Sequence, residues 1–233
     1  MPPPSDAPKA DKTRSDIMRA AEQLFAEKGF RAMTLRDVTR EAQVNLAAVN
    51  YHFGSKRNLM LAVIRNRFEP INVERLKQLD ALIAQHSPAP IPAHSIFDAL
   101  IRPLFESAST EAGMDYGLMQ MIGRAITEPA DFISTIHKEL FAELSLRFMT
   151  ELQRSCPDIS ETAHHYRFFF TISTMIGAII EQVLLKDLSD DTLDPTDFDT
   201  LIDELIAFTV AGYIQRHSHT LNPNLNPNPN PRN

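Results

Sequence analysis

Apolar positions recur at helical spacing along most of this chain. Ile17, Ala21, Leu24 and Phe25 form one stripe of a helix predicted over Ser15–Lys28. Gly29 is placed as its stop, with Phe30 returning to the core. Thr34 opens the run TLRD, which resembles a capping box with Asp in place of Glu. Leu35, Val38 and Ala42 then mark the inner face of a short second helix. Asn45 can cap a third over about residues 46–52, and Ser55 a fourth that begins at Lys56 and buries Leu59, Met60, Val63 and Ile64. Longer periodic segments follow. They predict helices over Lys56–Gln85 with a bend near Pro70, Ser95–Ser107 with a kink at Pro103, Met114–Thr127, Ala130–Ser155, Ser160–Lys186 and Thr196–His217. Asp194 and Pro195 read as the cap and first residue of the last helix.

Composition supports an all-α protein. Glycine is sparse (7 residues), tryptophan is absent and the aromatics are mostly Phe. Hydrophobic residues make up 43%, enough for a core. Cys156 is the only cysteine, which excludes an intrachain disulfide and multi-cysteine metal sites. No apolar run is long enough to span a bilayer. The start, MPPPSDAPKADK, lacks the apolar centre of a secretory signal, so a cytoplasmic protein is expected. Residues 1–12 and 218–233 are rich in Pro or Asn and Pro, and are expected to be disordered tails.

Charge changes the picture. The net charge is −7, but residues 1–68 hold 12 Lys/Arg against 7 Asp/Glu, and residues 69–233 hold 11 against 23. A basic first third on an acidic remainder is the pattern expected when one end meets an anion.

Two short helices joined by a tight turn and packed on a longer one are the helix-turn-helix arrangement. The second of them must be exposed on one side and carry groups that donate and accept hydrogen bonds, because it enters the major groove. TLRDVTREAQVNLAAVNYHFGSK resembles the DNA-binding motif of TetR-type transcriptional regulators. The resemblance covers residues 13–66 and rests on the E-x-G-F end of the first helix, the Thr-opened second helix, the aromatic-x-Phe near the end of the third and the Ser-Lys that opens the fourth. By position it implies phosphate contacts from Thr34, Tyr51, His52 and Lys56, and base contacts from Arg36, Asn45, Leu46, Ala47 and Asn50. Two positions depart from the family pattern: Gln43 stands where a glycine is usual, and Asn50 where a tyrosine is. Asn45 also has a purely structural reading as a cap.

The same resemblance implies that residues 67–217 form a helical ligand-binding and dimerisation domain. Gly177, Ala178, Ala211 and Gly212 lie within apolar helices, and such small residues mark close approach of another backbone, in a homodimer or within the chain. Phe105, Met119, Phe132, Phe141 and Phe169 are candidates to line a ligand cavity, or equally to fill an ordinary core. The motif region and residues 68–80 are similar to a branch of the family with regulators of fatty-acid metabolism, which implies a fatty acid or acyl thioester effector. His164 and His165 are adjacent, so their side chains diverge on a helix and make a poor metal site. His217-x-His219 and the acidic run 186–199 lack metal-binding spacing. No catalytic triad or phosphate-binding loop stands out. The expected protein is therefore no enzyme, needs no cofactor, and binds an operator in double-stranded DNA, released by a small effector. The rival reading is a ligand carrier or interaction protein that keeps the helix-turn-helix shape without using it.

Overall fold

The computed structural model describes residues 7–110, 113–194 and 196–215. Its first helix, α1 (Ala7–Ala32), starts earlier than its apolar stripe predicts. Residues 7–12, expected to belong to a disordered tail, are helical. Ala and Lys are good helix formers, and Pro8 sits in the first turn, where its missing N–H is not needed. Gly29, at φ 76° and ψ 172°, breaks the path of α1 where a stop is expected.

Thr34 caps α2 (Leu35–Glu41) reciprocally. Its hydroxyl oxygen accepts the Asp37 N–H at 3.1 Å, and Asp37 Oδ2 accepts the Thr34 N–H at 3.1 Å. Gln43 then turns the chain with φ 54°. A left-handed conformation costs a non-glycine residue about 1–2 kcal/mol. Asn45 caps α3 (Leu46–Phe53), and Ser55 caps α4 (Lys56–His86) through the Asn58 N–H. The head closes over Ile17, Phe25, Val38 and Val49, all fully buried. Each such side chain contributes roughly 1.5–3 kcal/mol by leaving water.

The body is built around α5 (Ala93–Ala108), whose Ile96, Phe97, Leu100, Ile101, Leu104 and Phe105 are buried. It packs against α4, which runs unbroken through Pro70, and against α8 (Ala142–Ser155) and α11 (Phe198–Ile214). A two-residue antiparallel ladder pairs Ser109–Thr110 with Gly113–Met114. Asp115 then caps α6 (Tyr116–Ala125) through the Leu118 N–H.

Three later boundaries also differ from expectation. The helix predicted over 130–155 is α7 (Ala130–Ile136), a wider π turn (His137–Phe141) and α8. The helix predicted over 160–186 breaks at Glu181 into α9 (Glu161–Ile180) and α10 (Gln182–Leu188). The last helix is capped by Asp197. Asp194 instead accepts the Thr196 N–H at 2.8 Å in the preceding turn, and Pro195 lies outside the described residues. The Asn/Pro tail and the His217/His219 pair also fall outside them. Among the described residues no helix is long and apolar enough to cross a membrane.

Candidate nucleic-acid interface and body cavity

α3 turns an uncharged ridge outward. Asn45, Leu46, Ala47, Asn50 and Tyr51 are exposed, Tyr51 to 83%, and its ring meets the half-buried His52 edge-on at 5.1 Å. Its inner face holds Val49 and Phe53, with Val44 and Ala48 packed against them. On α2, Arg36 and Arg40 are exposed beside this ridge. Amides and methyl groups on a one-sided helix, flanked by cations, suit base edges in a major groove with phosphates at its rim.

Several of the expected contact groups already have partners within the fold. The Thr34 hydroxyl donates to Asp37 Oδ2 at 2.9 Å, so its proton is committed to the cap. That cap and the nearby cations hold the Asp37 carboxyl below the usual carboxylate range, first through the Thr34 side chain and backbone. Asn45 Oδ1 accepts the Ala48 N–H at 2.9 Å, leaving its NH₂ as the outward donor. Lys56 departs furthest from the sequence expectation. Its ammonium donates to Phe30 O at 2.5 Å and Met33 O at 2.8 Å, and lies 4.5 Å from the centre of the Phe30 ring. Burial pulls its pKa down. Lys56 therefore ties the end of α1 to the start of α4 through two of its three N–H donors.

The head is joined to the body at the same place. Arg124 of α6 donates to the carbonyls of Ala26 and Glu27. Glu128 Oε1 accepts the Phe30 N–H at 2.6 Å, and the Phe30 ring stacks on Phe132 at 4.2 Å. Arg57, in the first turn of α4, reaches Asp131 and Thr135 of α7. Further along, Arg67 of α4 bridges Glu22 of α1 and Asp115 at the start of α6. Of these body-side partners only Phe132 was singled out from the sequence, and as a cavity residue rather than a partner of the head. Each is an ordinary polar or aromatic residue whose role depends on a fold-brought neighbour.

The α6–α7 corner that grips the head also walls a cavity of about 540 Å³ in the body. Met121, Ile122, Ala125, Ile126, Ile133 and Ile136 line it from that side, Ile64 and Phe68 from α4, and Phe168, Ile172 and Met175 from α9. Phe141 and Phe169 are on its wall. Phe105, Met119 and Phe132 are not. Phe105 is buried against Phe198 at 6.2 Å, Phe132 is spent on the Phe30 stack, and Met119 packs against the core away from the cavity. Apolar spacing cannot separate such positions, because core and cavity wall occupy the same helix faces. The wall also contains Arg75, which the sequence analysis passed over. Its signal was present: Ile71, Arg75 and Leu79 fall at i, i+4 and i+8 on the buried stripe of α4.

Gly177, Ala178, Ala211 and Gly212 are partly or fully exposed on α9 and α11. Among the described residues nothing lies within 4 Å of a β-carbon built on Gly177 or Gly212. The close approach expected of these glycines is thus not made inside the chain. Around them Phe170 and Phe208 stand in solvent, Phe208 to 70%. Among the described residues no group of three or more His, Cys, Asp or Glu is placed to hold a metal. His164 is buried against Tyr213, while His165 lines the cavity.

These features define a helix-turn-helix head on an α-helical body with an apolar cavity. Residues 17–63 match the family description "Bacterial regulatory proteins, tetR family", and residues 98–212 match "Tetracyclin repressor-like, C-terminal domain". The chain belongs to the TetR family. It is similar to the HTH-type transcriptional repressor NicS of Pseudomonas putida, 31% identical over 71 residues, 30% of this chain and 34% of that one. It is similar also to the dual regulator CecR of Shigella flexneri, 25% identical over 143 residues, 58% of this chain and 61% of that one. The match to the first of these relatives thus spans about a third of its length. Among solved structures, the SmeT–triclosan complex shares the fold with a TM-score of 0.61 at 19% identity, over 94% of this chain and 99% of that one. The fatty acid degradation regulator FadR of Bacillus halodurans does so with 0.55 at 15%, over 88% and 97%.

Proposed function

We propose that the protein is a sequence-specific transcriptional regulator, a repressor that binds a palindromic operator as a homodimer and is released by an apolar effector in the body cavity. The observation that carries this reading is the α6–α7 corner, one element shared by the cavity wall and the grip on the reading head. A ligand that alters the wall acts on the joint through side chains already in contact. It shifts the equilibrium between head positions by its differential affinity for them. The exposed apolar face of α9 and α11 supports dimerisation, and a two-fold dimer presents two α3 ridges to a two-fold operator. The resemblance of the head and residues 68–80 to the fatty-acid-responsive branch makes a fatty acid or acyl thioester the first effector to try.

Gel shift of the full chain against fragments of its own genome tests the reading. Specific retention of a fragment with an inverted repeat, relieved by an effector, is the expected result. Absence of specific binding to any fragment favours the rival ligand carrier.

A further inference from the structure

Apart from Arg167, which donates to the Tyr213 and Gln215 carbonyls, the other partly buried arginines of the body face carboxylates: Arg67 pairs with Glu22 and Asp115, Arg102 with Asp98 and Asp203, and Arg147 with Asp80. Arg75 does not. It is 2% exposed, on the wall of the cavity. Its Nε donates to Leu100 O at 2.7 Å and its Nη1 to Asn72 Oδ1 at 3.2 Å. Nη2 reaches only the Met175 sulfur, at 3.6 Å, a weak acceptor that also lines the cavity. Burial is the one influence acting on its charge, and pulls its pKa down to about 10, so it stays a cation near neutrality. A buried charge is costly unless an opposite charge faces it. The rest of the wall supplies none. Its other polar side chains are His137, Ser145 and His165, and it contains neither Asp nor Glu.

We propose that the cavity takes an amphipathic monoanion, an apolar body ending in one carboxylate, and that Arg75 binds that carboxylate through its Nη2 edge. This rests on the reading of the cavity as the effector site. The guanidinium, itself withdrawn from water, supplies a charge-assisted donor, and the carboxylate replaces a thioether as acceptor. One negative charge balances the site. A neutral ester or thioester leaves Arg75 uncompensated, and a second negative charge finds no partner on an otherwise apolar wall. The cavity volume falls within the range of about 300–1,000 Å³ usual for small-molecule sites.

The test is calorimetric titration of the full chain with sodium octanoate, dodecanoate, hexadecanoate and 2-naphthoate, each compared with its own methyl ester. At least one carboxylate should bind about tenfold or more tightly than its ester, as expected for a hydrogen bond to a charged group. Chain-length dependence against the naphthoate separates linear from ring-bearing anions. In Arg75→Met the preference should collapse, and in Arg75→Lys part of it should remain. Should Arg75→Met fail to fold, the acid–ester comparison in the unaltered chain and in Arg75→Lys still decides. Equal binding of acid and ester, tighter binding of the ester, an undiminished preference in folded Arg75→Met, or no binding of any of the acids overturns the proposal. Gel shift separates the two readings. Specific DNA binding without carboxylate preference removes the role of Arg75 alone, and carboxylate preference without DNA binding removes the regulator.

Discussion

The Glu128 carboxylate accepts the Phe30 backbone N–H at 2.6 Å, and the same oxygen lies 2.6 Å from where a β-carbon on Gly29 would sit. Gly29 therefore has two reasons to be glycine: its φ of 76° with ψ of 172°, and the carboxylate that fills the space beside it.

Gly29→Ala should destabilise the head by about 1–3 kcal/mol from backbone strain, and by more if Glu128 is displaced. Glu128→Ala alone should weaken the joint by losing the Phe30 bond. The double variant removes the overlap but not the strain, so its loss should be smaller than the two single losses together. Denaturant melts of the three proteins measure this; strict additivity would show that the two residues do not meet.

Lys56→Ala should lower stability rather than act on DNA through charge. Phe30 O and Met33 O lose their donor, at a cost of about 1–3 kcal/mol less whatever water recovers at this half-buried site. The salt dependence of operator binding should stay near that of the unaltered protein. A slope reduced by about 1 would instead place the ammonium on a phosphate.

Asn50→Ala should change which operator sequences bind best, by about 1–3 kcal/mol at the affected base pair, and leave the salt slope unaltered. Asn50 is exposed on α3, and its side chain is not used in a cap. Selection from a randomised operator library reads the preference directly. An equal loss on all sequences would remove Asn50 from base reading.

Phe208→Asp should yield a monomer in analytical ultracentrifugation, with operator affinity reduced, because it puts a charge in the centre of the exposed α9–α11 face. Retention of the dimer would move the interface elsewhere.

His164 makes stability depend on pH. Its Nε2–H donates to Cys156 O at 3.3 Å, leaving Nδ1 to accept the Tyr213 O–H at 2.8 Å, so the fold holds the neutral ring. Burial, chiefly, lowers its pKa below the ordinary 6.5. The unfolded chain thus takes up a proton that the folded one does not. Stability should fall as pH drops through about 6.5 and level off below the folded pKa. His164→Gln should flatten that slope in thermal melts between pH 5 and about 8.

The legible parts were those fixed by neighbours in the chain. Thr34, Asn45 and Ser55 cap the helices they precede, Gly29 ends the first, and the outward side of α3 is the side its apolar spacing leaves over. Gln43 stands where the family usually has a glycine, and it takes the positive φ that glycine favours. Missed boundaries are of two kinds. α9 ends at Glu181 inside a run of helix formers, and the π turn at 137–141 adds a residue to a helix without any local signal.

Sequence by itself determined the helical class, the helix-turn-helix and the polarity of the charge, because these follow from spacing, caps and residue type within a few positions. Tertiary structure alone decided that Lys56 serves the fold, that Phe132 stacks on Phe30, that Glu128 fills the space at Gly29, and that Arg75 faces a cavity without a counter-charge. In each case the deciding partner lies at least 23 residues away in the chain. Helical periodicity reports which face is buried, and carries no information about what it is buried against.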